Sequence, residues 1–387
     1  MTCSRFGHSV PPLVDWGMMR SLVGVVGVVG LAGCGFNNPA SDSGTGDGGH
    51  GGHIDATPPP CTLDDLGADK AGTLSGCSDA GTQDGIRGTA RFANPVNVAV
   101  GPSGLAYVVD FDSSRLRKID TDGKVTTIYS APTFNRPFGI ILARNGYLYV
   151  ECDDDVNGNH TNTSGVIWKI NPASPGDAVQ VASKLTRPRG LAELSDGRIA
   201  VSDYVAMTVQ ILDPNTGTAT LLAGAYGIEG HNNAHGAAAT FAQPWDLVVD
   251  PNGDLIVTEL DNNVLRQVTL NGDVTVYAGT PGMAGHRDGT LAEALFNQPK
   301  GMTIDASGAI YITEAGNHDI RKVANGMVTT LAGMTAGGYA DASDPMSAAY
   351  YGVEGLDISP DGTRMVIADG NNGDGNAYNH VRVLTLP

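Results

Sequence analysis

FAQPWDLVVDPNGDLIVTELDNNVLRQVTLNGDVTVYAG, residues 241–279, contains four short apolar runs separated by turn signals. Residues 245–249 alternate around an apolar face, Pro251-Asn252-Gly253 turns the chain, and residues 255–259 form a second run that ends in an acid. Asp261-Asn262-Asn263 turns again, residues 264–269 make a third run, Asn271-Gly272 turns, and residues 274–278 make a fourth. Four antiparallel strands in about forty residues are one blade of a β-propeller.

Everything after about Lys70 repeats this unit. The turn between first and second strands is marked by Gly104, Gly146, Gly197, Gly253, Gly308 and Gly362. A proline before the first strand gives the same register at Pro95, Pro137, Pro188, Pro244 and Pro299, with Val353 in its place in the sixth repeat. The second strand ends in an acid at Asp110, Glu151, Asp203, Glu259, Glu314 and Asp369. The sixth repeat lacks a fourth strand before the chain stops, whereas residues 70–76 (KAGTLSG) look like the fourth strands VTVYAG and VTTLAG. The fold expected is therefore all-β, a six-bladed β-propeller of four-stranded antiparallel blades, the last blade closed by the N-terminal strand.

Segments such as LAGAYGIEGHNNAHGAAATFAQP (residues 222–244) and YAGTPGMAGHRDGTLAEALFNQP (residues 277–299), each followed by a strand, a turn and an acid-ended strand, resemble NHL-repeat propellers. The Arg-ended arm of that pattern is clear at residues 112–118 and 317–322, interrupted by an insertion at 153–165, and without Arg at 204–209. The resemblance runs from about Lys70 to Pro387. It implies a propeller and no single activity, because such propellers include binding platforms and enzymes alike.

The chain has 387 residues, 53 of them Gly, against 23 Lys and Arg, and its net charge is −18. This composition suits one large all-β domain with tight turns, nearly free of helix. Nucleic acid is excluded as an expected partner because no basic stripe is present to displace phosphate counterions.

Residues 22–31 (LVGVVGVVGL) are an apolar run too short to span a bilayer, and they follow Arg20, as in a secretion signal. Leu31-Ala32-Gly33-Cys34 resembles a bacterial lipobox, which makes Cys34 the expected site of lipidation and residues 1–33 the signal peptide, starting at Met1 or at Met18. Gly35 after the cysteine fits sorting to the outer membrane. Residues 34–60 then form a Gly-, Ser-, Asp- and Pro-rich tether with His50 and His53, and residues 61–387 the propeller. In an oxidising envelope Cys61 and Cys77 could pair, closing a loop of about fifteen residues worth roughly 3 kcal/mol. Cys152 would then be the odd, buried cysteine.

Strand direction places the fourth-to-first and second-to-third connections on one face. The long segments 76–94, 224–243, 279–298 and 333–352 belong to it, as do the insertions 153–164 and 370–379, so binding is expected on this long-loop face. The strand-end acids have two readings. Each carboxylate could accept hydrogen bonds inside its own repeat, the reading that a sixfold recurrence favours. Alternatively, Asp110, Glu151, Glu259 and Glu314 could line an axial acidic site, as in calcium-dependent lactonases or amidating lyases, which the resemblance brings into view.

Asp153-x-Asp155-x-Asn157-Gly158 matches the first half of a calcium loop, but the Glu needed at the twelfth position is Ser164. Asp369, Asn371, Asn372, Asp374 and Asn376 make a second oxygen-rich loop, read as turn formers. His160, His231, His235, His286, His318 and His380 are assigned to loops of the same face, where three could meet around zinc or act as acid–base groups. The function expected is a monomeric, membrane-anchored module that binds a protein or carbohydrate partner. A metal-dependent hydrolase or lyase, with calcium as its cofactor, is the alternative.

Overall fold

The computed structural model describes residues 70–153, 163–373, 375 and 378–386, which form six antiparallel sheets arranged as a propeller. Blade one runs Pro95–Val100, Ala106–Asp110, Arg115–Ile119 and Val125–Tyr129, each strand paired with the next. Blades two to five repeat that order. Their innermost strands are Pro137–Leu142, Pro188–Glu193, Pro244–Val249 and Pro299–Ile304. Helical structure among the described residues is limited to the short 3-10 turns Pro175–Asp177, Gly236–Ala238 and Pro345–Ser347.

The repeat markers have direct physical causes. All six turn glycines adopt φ between 71° and 90°, a left-handed conformation that disfavours a side chain. Pro at the start of the innermost strand pairs with the end of the second strand, for example Pro95 with Asp110 and Pro244 with Glu259, and a register shift follows at once. The missing N–H therefore falls at an irregular point of the ladder.

Closure occurs as the sequence indicates. Blade six consists of Gly352–Ile358, Arg364–Gly370 and His380–Thr385, and Ala71–Gly76 adds on outside as its fourth strand. Leu74, from this strand, packs with Val366, Val381 and Val383 of its own blade and with Val98 and Val108 of blade one, all buried. One strand thus completes a sheet and seals the seam between the ends of the chain.

The long connections do not crown a face as expected. Each folds back along the outermost strand of the blade it precedes and hydrogen-bonds to that strand's free edge. Gly85 and Val125 exchange both backbone hydrogen bonds in blade one, and Ala342 and Ala71 do so in blade six. The N–H of Val274 reaches Ala234 O in blade four, and Gly289–Thr290 pairs with Val328 and Met327 in blade five. Unpaired strand edges invite association, so these loops are edge covers. Blades two and three, entered by the short connections 130–136 and 186–187, have no such cover among the described residues.

Deleting everything before Cys77 removes the outer strand of blade six and bares the His380–Thr385 edge. The truncated chain is expected to elute as soluble aggregate in size-exclusion chromatography and to lose its cooperative thermal transition.

Candidate functional site

The strand-end acids sit inside the blades, fully buried. Asp110 accepts hydrogen bonds from the Ala93 N–H (2.7 Å) and the Ser113 hydroxyl (2.6 Å) and pairs with Arg117 at 3.1 Å. Glu259 accepts from the Ala242 N–H and the Asn262 amide and pairs with Arg266 at 3.1 Å. Glu314 pairs with Arg321 at 2.6 Å, and Asp369 pairs with Arg382 at 3.1 Å while accepting from the Tyr351 and Gly352 N–H groups. Asp203 has no arginine and accepts from the backbone of Thr186, Arg187 and Ala206. Burial raises all these carboxyls, Asp110 to about 7.

Each arginine also binds the edge cover. Arg117 donates to Gln83 O and Asp84, Arg266 to Asn232 O and Asn233, Arg321 to Arg287 O and Asp288, and Arg382 to Ala340 O and Asp341. A buried ring lies against each guanidinium: Phe92, Phe241, Phe296 and Tyr350, with centroids 4.9–5.4 Å away. These acids are therefore structural pins. Asp110, Glu259 and Glu314 lie in separate blades, each committed to its own network.

Glu151 breaks the pattern. In blade two Pro137 faces Cys152, where the other blades have Pro95 facing Asp110 and Pro299 facing Glu314. Cys152 thus occupies the acid's register, and the strand Leu148–Asp153 runs on past it. Glu151 takes the position held by Ser202, Thr258 and Thr313. Like their hydroxyls, its carboxylate accepts the N–H twelve residues earlier, from Gly139 at 3.2 Å. That side of the strand faces the next blade, where Arg189 pairs with Glu151 at 3.4 Å and with Asp153 at 3.0 Å. The Glu151 carboxyl is pushed well up, first by burial and then by the nearby Asp153 charge.

Arg189 belongs to a ring that the sequence reading missed. The residue following each repeat's Pro marker, or Val353 in blade six, is Val96, Phe138, Arg189, Trp245, Lys300 or Glu354, one from each innermost strand. These side chains converge at the axis on the long-loop side. The Phe138 and Trp245 rings meet edge to face at 5.5 Å, and the Arg189 guanidinium lies 4.1 Å from the Phe138 centroid. Lys300 Nζ is 4.9 Å from the Trp245 ring and 2.9 Å from both Glu354 and Asn372 Oδ1. Val96 and Phe138 share a core cluster against which Trp245 packs.

Half-buried Tyr204, at 5.2 Å from Trp245, and Phe111, at 5.9 Å from Phe138, extend the aromatic surface outward. Arg187 adds an ion pair with Asp153 at 3.1 Å. Within the ring region Glu151 Oε1, Arg189 Nε and Glu354 Oε2 are buried without a hydrogen-bond partner among the described residues. The signal was available: the residue after the Pro marker differs in every repeat.

Beyond this ring the inner strands enclose a cavity of about 310 Å³, lined by residues from every blade, including Asn97, Asp246, Thr303 and Asp357. Asp246 accepts from the Leu247 and Met302 N–H groups, and burial pushes its carboxyl to about 7. Gly190 makes room for it, since a Cβ there would lie 2.7 Å from Asp246 Oδ1.

Other expected site residues scatter. Cys34, Cys61, Asp155, Asn157, His160, Asp374 and Asn376 lie outside the described residues. Asp153 points at arginines, Cys77 is disulfide-bonded, and Cys152 is buried in the blade-two core. His235 pairs with Asp273 at 3.0 Å, and His286 with Asp319 at 2.9 Å, both through the edge covers. His380 starts a strand rather than lying in a loop, and burial lowers its imidazole to about 3. Among the described residues no group of three or more His, Cys, Asp or Glu side chains is arranged to hold a metal ion.

A family model described as NHL repeat matches residues 241–266. The Arabidopsis thaliana protein SUPPRESSOR OF QUENCHING 1, chloroplastic, is 25% identical over 291 residues, covering 65% of this chain and 27% of its own length. The chain therefore spans about a quarter of that relative. An auxiliary nutrient binding protein from Bacteroides thetaiotaomicron superposes with a TM-score of 0.64 at 17% identity, covering 81% of this chain and 75% of its own. A gluconolactonase from Xanthomonas campestris does so with a TM-score of 0.52 at 15% identity, covering 86% and 96%. At such identities the structures share a fold. The chain is similar to these propellers and carries an NHL-repeat match in its fourth blade.

Blade five pairs its strand-end acid with a second buried carboxylate. Asp319 stands directly across from Glu314, where blade one has Arg115 and blade four Val264. Burial raises Glu314 to about 8, with Asp319 adding to the rise, and burial raises Asp319 to about 6. Folded pKa values above the unfolded ones mean that the folded state holds extra protons. This stabilisation is full below about pH 4 and is lost as pH rises through 6–8. Asp319→Asn is expected to flatten the decline of Tm between pH 6 and 8.5 and to raise Tm at pH 8.5 by roughly 2 °C. Differential scanning fluorimetry across that range would refute the assignment if both chains declined in parallel.

Proposed function

We propose that this chain is a lipid-anchored binding module of the bacterial outer membrane, with the axial mouth on the long-loop side as its ligand site. The partner is a protein or a carbohydrate, and the chemistry of the mouth favours a carbohydrate. The observation that carries this reading is the asymmetry of the axial ring. A half-buried Trp245 with Tyr204 beside it offers aromatic surface to the apolar face of a sugar, and paired charges around it offer directional hydrogen bonds to hydroxyl groups. The unpartnered oxygens of Glu151 and Glu354 retain hydrogen-bonding capacity, which hydroxyl groups, being both donors and acceptors, can match. A propeller of the same fold is described as an auxiliary nutrient binding protein, in keeping with a capture role.

The hydrolase or lyase alternative asks for a His and at least two acids from different blades within reach of one metal ion near the axis. Asp110, Glu259 and Glu314 are instead neutralised inside their blades by Arg117, Arg266 and Arg321. Binding is therefore the leading reading.

A glycan array probed with the full chain, followed by calorimetry on the hits, tests the site. Trp245→Ala is expected to weaken binding at least about tenfold, or 1.4 kcal/mol, with Lys300→Met having a smaller effect. An array without hits, or affinity unchanged in Trp245→Ala, sinks the carbohydrate reading. Anchoring is tested separately: Cys34→Ala should accumulate unprocessed precursor and take up no labelled fatty acid.

A further inference from the structure

Four blades have their outer edge covered by the chain itself, and in blades one, five and six the backbone groups used correspond. In blade one the Val125 N–H and C=O bond Gly85, and the Thr127 N–H, two residues on, reaches the Asp84 carboxylate at 2.9 Å. In blade six Ala71 exchanges bonds with Ala342, and the Thr73 N–H reaches Asp341 at 3.0 Å. In blade five the Thr330 N–H reaches Asp288 at 3.0 Å. The inner neighbours of these threonines are the buried arginines: Thr127 faces Arg117, Thr330 faces Arg321, and Thr73 faces Arg382.

The corresponding residues of blade three are Ala219, facing Leu212, and Leu221, facing Gln210. Among the described residues nothing bonds the outward backbone groups of Ala219 or Leu221, and Leu221 is 51% exposed. Among the described residues the strand Thr218–Ala223 thus has an open edge, and it carries an exposed leucine. Blade two also lacks a cover, but its outer strand Val179–Leu185 is blunted. Two register shifts interrupt its pairing, and Lys184 adopts φ 65°.

We propose that the outer edge of blade three binds an extended peptide segment of a partner protein, which adds to the sheet as a fifth strand. The edge covers of blades one, five and six are internal examples of that occupant. Their Asp84, Asp288 and Asp341 answer a buried arginine. Blade three has Gln210 and Leu221 instead, so the segment it takes carries an uncharged, apolar residue opposite Leu221 in place of the acid. Main-chain hydrogen bonds supply affinity and the leucine supplies selectivity. This edge lies on the rim, apart from the axial mouth, and does not depend on the carbohydrate reading.

The probe is a phage-displayed library of random dodecapeptides selected on the full chain, with affinities of synthetic hits measured by calorimetry. Peptides enriched in apolar β-formers are expected, and Leu221→Pro, which removes the outward N–H, should weaken them at least tenfold. Leu221→Lys, a charge on the same edge, serves the same comparison if the proline variant does not fold. In hydrogen exchange the Ala219 and Leu221 amides should exchange fast in the free chain and slow on peptide binding, while those of Thr73, Thr127 and Thr330 stay protected throughout. Amides already protected in the free chain, peptides that bind both variants as well as the wild type, or no enrichment would overturn the proposal. A chain dimer abolished by Leu221→Lys would also overturn it, by assigning the edge to a second copy.

Discussion

A guanidinium buried between a carboxylate and an aromatic ring is the interaction on which most of this propeller depends. Taking an ion from water into a protein interior costs several kcal/mol unless its donors and charge are met, and removing one partner of such a pair costs about 3–5 kcal/mol. Arg117, Arg266, Arg321 and Arg382 are all fully buried and have more N–H groups than one carboxylate can accept. The edge cover supplies further acceptors through backbone carbonyls such as Gln83 O and Arg287 O, while the Nε–H groups of Arg117, Arg321 and Arg382 have no hydrogen-bond partner among the described residues. Arginine, acid, ring and cover therefore form one unit. Where the third strand carries Trp168 or Gln210 in the arginine's register, the connection shrinks to 130–136 or 186–187.

This coupling explains both the strengths and the error of reading function from loop length. The repeat period, the turn glycines, the Pro marker and the closing strand are visible in sequence because each is local chemistry: a positive φ, a missing N–H, an alternating apolar run. The destination of a long loop is not local. Residues 279–298 look like a surface excursion until Asp288 is seen against Arg321 and Gly289 against Val328. Their length reflects the distance along an outer strand rather than room for a ligand.

The strand-end acids show the converse. Their recurrence favoured a structural role, and the geometry gives that role to Asp110, Glu259, Glu314 and Asp369 through arginine and to Asp203 through backbone N–H groups. Glu151 resembles them in sequence, standing at the end of the run Leu148-Tyr149-Val150. Side chains alternate across a strand, so a displacement of one residue changes which side faces the adjoining blade. Only pairing shows that Cys152 faces Pro137, and no composition pattern carries that information.

That displacement has consequences at the axis. With Cys152 in the acid's place and Trp168 in the arginine's, blade two fills its pin site with apolar groups, packed with Phe134. Glu151 is freed to face Arg189, whose guanidinium covers Phe138 and so joins blade two to the ring that contains Trp245. The other blades hold their innermost strands in fixed register by repeated contacts, which leaves the residue after the Pro marker without a structural duty common to all. Six different side chains at six equivalent positions are what a scaffold produces when the backbone is constrained and the axial surface is not. Individuality in this molecule therefore collects at the axis and at the bare edge of blade three, the places where the repeated pin makes no demand.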